Sequence, residues 1–112
     1  MRDETLSIRE MYLYQHRLQE KYARQWGEPI EPDTAVRKLL WAHGELAEAG
    51  DILKKNGPIE EMLTHPEKKR HLAEELGDAM MYMYDVMLCC GITPEEFSEI
   101  YKAKCERNKN RW

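Results

Sequence analysis

Start and stop signals for helices divide this chain into four long segments, and they constrain the fold more than any other feature. The first signal is Ser-Ile-Arg-Glu at 7–10, a capping box whose first and last side chains satisfy free backbone N–H groups of a new helix. Apolar residues recur at helical spacing from there to about Trp26, where Gly27 and Pro29 follow. We therefore predict a first helix that ends near Trp26.

Three further segments have boundaries of the same kind. Pro32 and the aspartate after it favour the start of a second helix, which Asn-Gly-Pro at 56–58 ends. A third helix is predicted from about Glu67 to Cys90, and Thr-Pro-Glu-Glu at 93–96 is a strong start signal for the last. No segment alternates with period two, so no strands are expected. The sequence predicts an all-α antiparallel four-helix bundle.

The size and composition of the chain limit its class. Residues 1–112 are expected to form one domain, because 112 residues can build a single core but still gain from oligomerisation. A net charge of −4 argues against nucleic-acid binding, and no apolar run approaches the roughly 20 residues of a membrane span. No apolar signal region follows the N-terminus. Cys89, Cys90 and Cys105 form no CxxC pair, so we expect a reducing, cytoplasmic location.

Two acidic pairs, Glu45-Leu-Ala-Glu48 and Glu75-Leu-Gly-Asp78, are the candidate functional residues. Carboxylates three residues apart project from one side of a helix. Four carboxylates on two facing helices would form an all-oxygen site for a hard cation such as Mg²⁺. Such a site suggests a substrate with its own negative charge, and a nucleoside triphosphate fits best.

The second helix has two stripes of interest. One is predicted to be the core face and consists of Val36, Leu39, His43, Leu46, Gly50 and Leu53. On the opposite side, Trp41 and Ile52 flank Glu45 and Glu48, an arrangement that a merely solvated face would not be expected to show. A surface acidic pair beside two scattered apolar residues is the alternative interpretation.

The third helix repeats this design. Its predicted core face consists of Leu72, Leu76, Ala79, Met83, Val86 and Cys90. Beside that face runs a seam of His71, Glu75, Asp78, Tyr82 and Asp85, in steps of four and three residues. Acids in a helix–helix seam repel one another unless cations lie between them, so the seam favours metal ligation. Asp85, at its end, is expected to be solvated or to support the ligands.

The last helix supplies positive charge. Its apolar stripe continues, by helical steps, into Lys104, Asn108 and Arg111, which could reach an anionic ligand. The alternative is that basic residues merely complement the dipole at a helix C-terminus.

With these residues the chain resembles the MazG-like family of all-α nucleotide pyrophosphohydrolases, which are related to dimeric dUTPases and dCTP pyrophosphatases. The resemblance covers about residues 38–112 and rests on 43–49, 74–79 and the ending 104–112. It implies that the paired carboxylates bind Mg²⁺, with Mn²⁺ as an alternative: Glu45, Glu48, Glu75 and Asp78. It implies that three residues of the last helix hold the triphosphate and sugar: Lys104, Asn108 and Arg111.

The reaction implied by this resemblance is hydrolysis between the α- and β-phosphates of a nucleoside triphosphate, with a role such as nucleotide-pool sanitation. Mg²⁺ would neutralise charge on the phosphate oxygens while a carboxylate orients the attacking water. Glu48 is our candidate for that base. Trp41 and Tyr82, one helical step from the acidic pairs, could stack on the base or ribose, with core packing as the alternative for each.

Three other interpretations stay open. A phosphoribosyl-ATP pyrophosphohydrolase would share the acidic pattern. A di-iron bundle would need Glu-x-x-His on two helices, which this chain does not offer. A non-catalytic module could oligomerise, or sense a nucleotide, through its Met- and Tyr-rich third helix. That helix has apolar residues around much of its circumference, so we expect a homodimer or a homotetramer.

Overall fold

The computed structural model describes residues 4–111 and is all-α, as the sequence predicts, with no strand in that part of the chain. Four long helices and one short one follow in order: α1 (Ile8–Trp26), α2 (Ala35–Lys55), α3 (Ile59–Met62), α4 (Pro66–Cys89) and α5 (Pro94–Arg111). A 3-10 turn at Pro32–Thr34 leads into α2. No helix of the described chain is long and apolar enough to cross a membrane.

Local side-chain chemistry sets several of these helix ends. The Ser7 hydroxyl accepts from the N–H of Glu10 at 3.1 Å, and the Glu10 carboxylate accepts from the N–H of Ser7 at 2.9 Å. Gly27 ends α1 in the left-handed conformation, with φ of 64°, which glycine adopts without a Cβ clash. Thr93 caps α5 by accepting from the N–H of Glu96 at 3.1 Å. The predicted capping signals are therefore confirmed.

Helices α2 and α4 pack antiparallel along most of their lengths. Small residues at the contact, Ala42 and Ala49 on α2 and Ala79 on α4, are buried and let the two backbones approach closely. Helix α1 lies against α4, and α5 lies against α1, where Arg9 and Glu95 form an ion pair at 2.6 Å. No residue of α5 is buried, so α5 adds little to the core of the single chain.

The predicted core stripes of α2 and α4 are largely wrong for the single chain. Val36 and Leu39 on α2 are 66% and 47% exposed, and Leu76 and Met83 on α4 are also exposed. Ala79 is buried as expected. The stripes that pack within the chain are the ones that carry the acids. Each helix has an apolar stripe and an acid-bearing stripe, and local periodicity does not decide which one meets a neighbour from the same chain.

Candidate metal centre and adjoining cavity

Three of the four predicted carboxylates come together between α2 and α4. One oxygen from each of Glu45, Glu48 and Glu75 lies within 4.8 Å of the other two. Glu45 and Glu48 lie one turn apart on α2, and the antiparallel packing places Glu75 of α4 opposite them. The three-residue spacing in the sequence therefore produces a real cluster, which we call the acid cluster.

The acid cluster is only partly open to solvent. Glu45 and Glu75 are half-buried, and Glu48 is exposed. His71, one turn before Glu75, places its Nε2 atom 3.2 Å from Glu75 Oε1. The other oxygen, Glu75 Oε2, is buried and has no hydrogen-bond partner among the described residues. A buried carboxylate oxygen without a partner is costly, so this atom calls for a cation or a donor.

The carboxyl groups perturb one another strongly. Interaction with the nearby Glu75 carboxylate, followed by burial and the charge of Glu48, raises the pKa of Glu45 to about 7. Interaction with the carboxyl groups of Glu45 and Glu48, with a contribution from His71, lowers the pKa of Glu75. Two carboxylates this close do not readily ionise together, so a proton or a cation at the acid cluster relieves their repulsion.

The donor set of the acid cluster fits Mg²⁺ or Mn²⁺. All three groups offer oxygen ligands, which hard cations prefer over nitrogen and sulfur. A divalent ion would supply the missing partner of Glu75 Oε2 and would remove the need for a proton on Glu45. Mg²⁺ uses few protein carboxylates because it also binds waters and phosphate oxygens.

Asp78, the fourth predicted ligand, is not part of the three-carboxylate cluster. It is exposed on α4 and lines the adjoining cavity together with Glu45. The structure thus places Asp78 beside the acid cluster, at the edge that faces the cavity.

The adjoining cavity has a volume of about 450 Å³ and lies among α1, α2 and α4. Its walls include three aromatic residues: Trp26, Trp41 and Tyr82. The ring centroids of Trp41 and Tyr82 are 5.7 Å apart, at an angle of 58°. Both of these predicted substrate-binding residues therefore line a cavity that begins at the acid cluster.

A buried polar group lines the same cavity, and of its members only Asp85 was marked by the sequence. It consists of Gln15 and Gln19 from α1, Lys38 from α2 and Asp85 from α4, all of them buried. Gln15 Nε2 donates to Asp85 Oδ1 at 2.8 Å, and Lys38 Nζ donates to Gln19 Oε1 at 3.1 Å. Lys38 Nζ also lies 3.5 Å from Asp85 Oδ2. We call these four residues the polar quartet.

The expectation of a solvated Asp85 is contradicted, since its side chain is 1% exposed. Burial raises the pKa of Asp85, and the hydrogen bond from Gln15 and the charge of Lys38 oppose that rise. One signal in the sequence could have found this pair. Lys38 lies seven residues before Glu45, and Asp85 seven residues after Asp78, so each lies two turns further along its acid-bearing stripe.

The predicted phosphate-binding residues of α5 lie apart from the acid cluster. Lys104, Asn108 and Arg111 do not line the cavity beside Glu45 and Asp78, and α5 packs against α1 rather than at the α2–α4 seam. Trp112, the last residue of the resembling C-terminal stretch, lies outside the described residues.

The chain matches no protein-family model, no curated protein and no solved structure with which it was compared.

Proposed function

We propose that this protein is a Mg²⁺-dependent nucleoside triphosphate pyrophosphohydrolase, which cleaves a (deoxy)nucleoside triphosphate to the monophosphate and pyrophosphate. The observation that carries the proposal is the acid cluster, in which Glu75 Oε2 has no hydrogen-bond partner among the described residues, beside an aromatic-walled cavity that Glu45 also lines. The resemblance of the two acidic pairs to MazG-like enzymes supports the same function.

In this proposal the chain's own residues position the reactants. Glu45, Glu48 and Glu75 hold the metal, which when bound neutralises charge on the phosphate oxygens. Glu48 is the most exposed of the three, so it is the best placed to orient a water molecule towards the α-phosphorus and to accept its proton. Trp41 and Tyr82 contact the base or ribose in the cavity. Asp78 supports the metal site from the cavity edge.

The proposal includes a homodimer, or a homotetramer, that completes the four-helix bundle. Val36, Leu39 and Leu46 on α2 form an exposed stripe, and Leu76 and Met83 extend exposed apolar surface on α4. A second copy of the chain would cover these side chains, which repeat at core spacing yet lie outside the core of one chain. Such an assembly could also bring Lys104, Asn108 and Arg111 of one subunit to the triphosphate bound by another.

A panel of dNTPs and NTPs, incubated with Mg²⁺ and assayed separately for pyrophosphate and orthophosphate, tests this function. We expect pyrophosphate and a nucleoside monophosphate in equal amounts from at least one substrate, and no product in the presence of a chelator. Orthophosphate alone would indicate cleavage at another bond and would overturn the proposal. Including phosphoribosyl-ATP in the panel tests the related activity.

The second candidate is a non-catalytic helical module that oligomerises. The observation that favours it is the methionine-rich surface of α4, where Met80, Met81 and Met83 are all exposed. Methionine side chains adapt to varied apolar partners. Absence of any product across the whole panel, from a protein that is folded and oligomeric, would favour this function.

A further inference from the structure

The polar quartet contains an acceptor that the protein does not satisfy. Asp85 Oδ1 accepts a hydrogen bond from Gln15, but Asp85 Oδ2 is buried and has no hydrogen-bond partner among residues 4–111. Lys38 Nζ, at 3.5 Å from Oδ2, is within ion-pair range but too distant for a good hydrogen bond. Asp85 lines the cavity, so the unsatisfied oxygen belongs to a group at the cavity wall.

The charges of the polar quartet indicate which kind of ligand could satisfy its free hydrogen-bonding groups. Lys38 and Asp85 have opposite charges, so the pair suits an uncharged polar group better than a phosphate or an ammonium ion. Asp85 Oδ2 needs a donor, and Lys38, whose ammonium carries three N–H groups, can still donate to an acceptor. A planar ring with a hydrogen-bond donor next to an acceptor would satisfy both Asp85 Oδ2 and Lys38 Nζ. The edge of a nucleobase has this pattern.

The position of the quartet fits a nucleotide as well. Asp85 lies seven residues beyond Asp78, and Lys38 seven residues before Glu45, so two helical turns, about 10 Å of helix axis, separate the quartet from the acidic residues. This separation is comparable to that between the α-phosphate and the far edge of the base in a nucleotide. Trp41 and Tyr82 lie between the two levels and line the same cavity, and Lys38 Nζ lies 5.4 Å from the centroid of the Trp41 ring.

We propose that the polar quartet recognises the hydrogen-bonding edge of a nucleobase, with Asp85 Oδ2 accepting an N–H of the base and Lys38 Nζ donating to the neighbouring acceptor. Gln15 and Gln19 act as positioning residues, because they hold Asp85 and Lys38 in place from α1. This recognition deepens the proposed function and rests on it for its biological meaning. Binding of the base itself requires neither the metal nor the phosphates.

Nucleosides without phosphate test the inference in the wild-type protein. Adenosine, cytidine, guanosine and uridine are titrated in the presence of a chelator, while the side-chain amide signals of the three glutamines are followed by ¹⁵N NMR. We expect at least one nucleoside to shift the signals of Gln15 and Gln19 with saturation. Gln25, exposed on α1 and away from the cavity, is the internal control and should not move. If no nucleoside shifts Gln15 and Gln19, or if Gln25 shifts equally, the inference is wrong.

Two comparisons then test the role of Asp85. Asp85→Asn should weaken binding of that nucleoside about tenfold, as expected for loss of a hydrogen bond to a charged group, whereas Glu48→Gln should change it less than twofold. Since Asp85→Asn leaves Lys38 buried without its counter-ion, this variant could unfold. In that case the wild-type protein is titrated with the same nucleoside methylated at the edge N–H, which should bind at least tenfold more weakly. Equal binding of the methylated and unmethylated forms would overturn the inference.

The two proposals can fail separately. If a nucleoside binds at Gln15 and Gln19 but no pyrophosphate is released, the base site is supported and the hydrolase function is overturned. If wild type and a folded Asp85→Asn variant both release pyrophosphate at equal rates from triphosphates of all four bases, the hydrolase function is supported and the base site is overturned.

Discussion

The carboxyl groups of Glu45 and Glu75 lie close together across the α2–α4 seam, and their interaction raises the pKa of Glu45 to about 7 while it lowers that of Glu75. The two residues lie 30 positions apart in the chain and belong to different helices. One proton bound by the pair would relieve the repulsion between the two acidic stripes. Protons and divalent cations therefore compete for the same oxygens.

The first prediction concerns the pH dependence of stability without metal. Glu45 has a higher pKa in the folded state than the 4.5 of an unperturbed glutamate, so the folded state binds the extra proton. The stability that this proton supplies is fully present below pH 4.5 and is lost as the pH rises through 7. In the presence of a chelator, the melting temperature measured by circular dichroism should therefore decrease as the pH is raised from 5 to 8. An excess of Mg²⁺ should restore it at pH 8.

Glu45→Gln is the control for this effect, because glutamine keeps a similar shape without a titrating group. Other groups, Asp85 among them, titrate alike in both proteins and cancel in the comparison. At pH 8 in a chelator, this variant should melt a few degrees higher than wild type, and Mg²⁺ should raise its melting temperature less. If the melting temperatures of wild type and variant change in parallel across this pH range, the raised pKa of Glu45 is contradicted.

The second prediction concerns Glu48. Replacing this exposed carboxylate by glutamine should lower turnover by about 100-fold or more, the usual contribution of a general base, and should leave helix content unchanged. Asp51→Asn is the matched control, since Asp51 is an exposed acid on the same helix that pairs with Lys55 at 3.5 Å. Turnover of Glu48→Gln within a few-fold of wild type would end its assignment as the base.

The third prediction compares Asp78 with Glu75. Asp78 lies outside the acid cluster, whereas Glu75 provides one of its three oxygens. Glu75→Gln should therefore raise the Mg²⁺ concentration needed for half-maximal activity by more than Asp78→Asn does, and both should raise it. A Mg²⁺ titration of the hydrolysis rate measures this order. An unchanged curve for Asp78→Asn would remove Asp78 from the metal site, and the reverse order would contradict the observed geometry.

The fourth prediction concerns the exposed stripe of α2. Leu39→Glu should convert the proposed dimer or tetramer to a smaller species, since a buried charge without a partner is costly at an apolar interface. Leu39 is exposed in the single chain, so the helix content of each subunit should change little. Light scattering after gel filtration measures the mass. Lys55→Glu, an exposed change on the far side of α2, should leave the mass unchanged, and an unaltered mass for Leu39→Glu would contradict this interface.

Much of the fold could be predicted from the sequence because helix boundaries depend on local chemistry. The Ser7 capping box, the Gly27 stop and the Thr93 cap each involve groups within a few residues of one another, and all three lie where predicted. The acid cluster could also be predicted in outline. Carboxylates spaced by three or four residues share a helix face in any packing arrangement, so two such stripes indicated a seam between helices.

The remaining features were decided by the tertiary structure. Each of α2 and α4 carries an apolar stripe and an acid-bearing stripe, and only the packing shows that the acid-bearing stripes meet within the chain while Val36, Leu39 and Met83 stay exposed. The same packing leaves Asp78 beside the acid cluster and buries Asp85. It also brings Gln15 and Gln19 of α1 to the cavity, although nothing near them in the sequence marks them as binding residues. Helix caps and helical faces depend on residues that are close in sequence. Which faces pack together depends instead on residues far apart in the chain, whose surfaces compete to be buried against the same neighbouring helix.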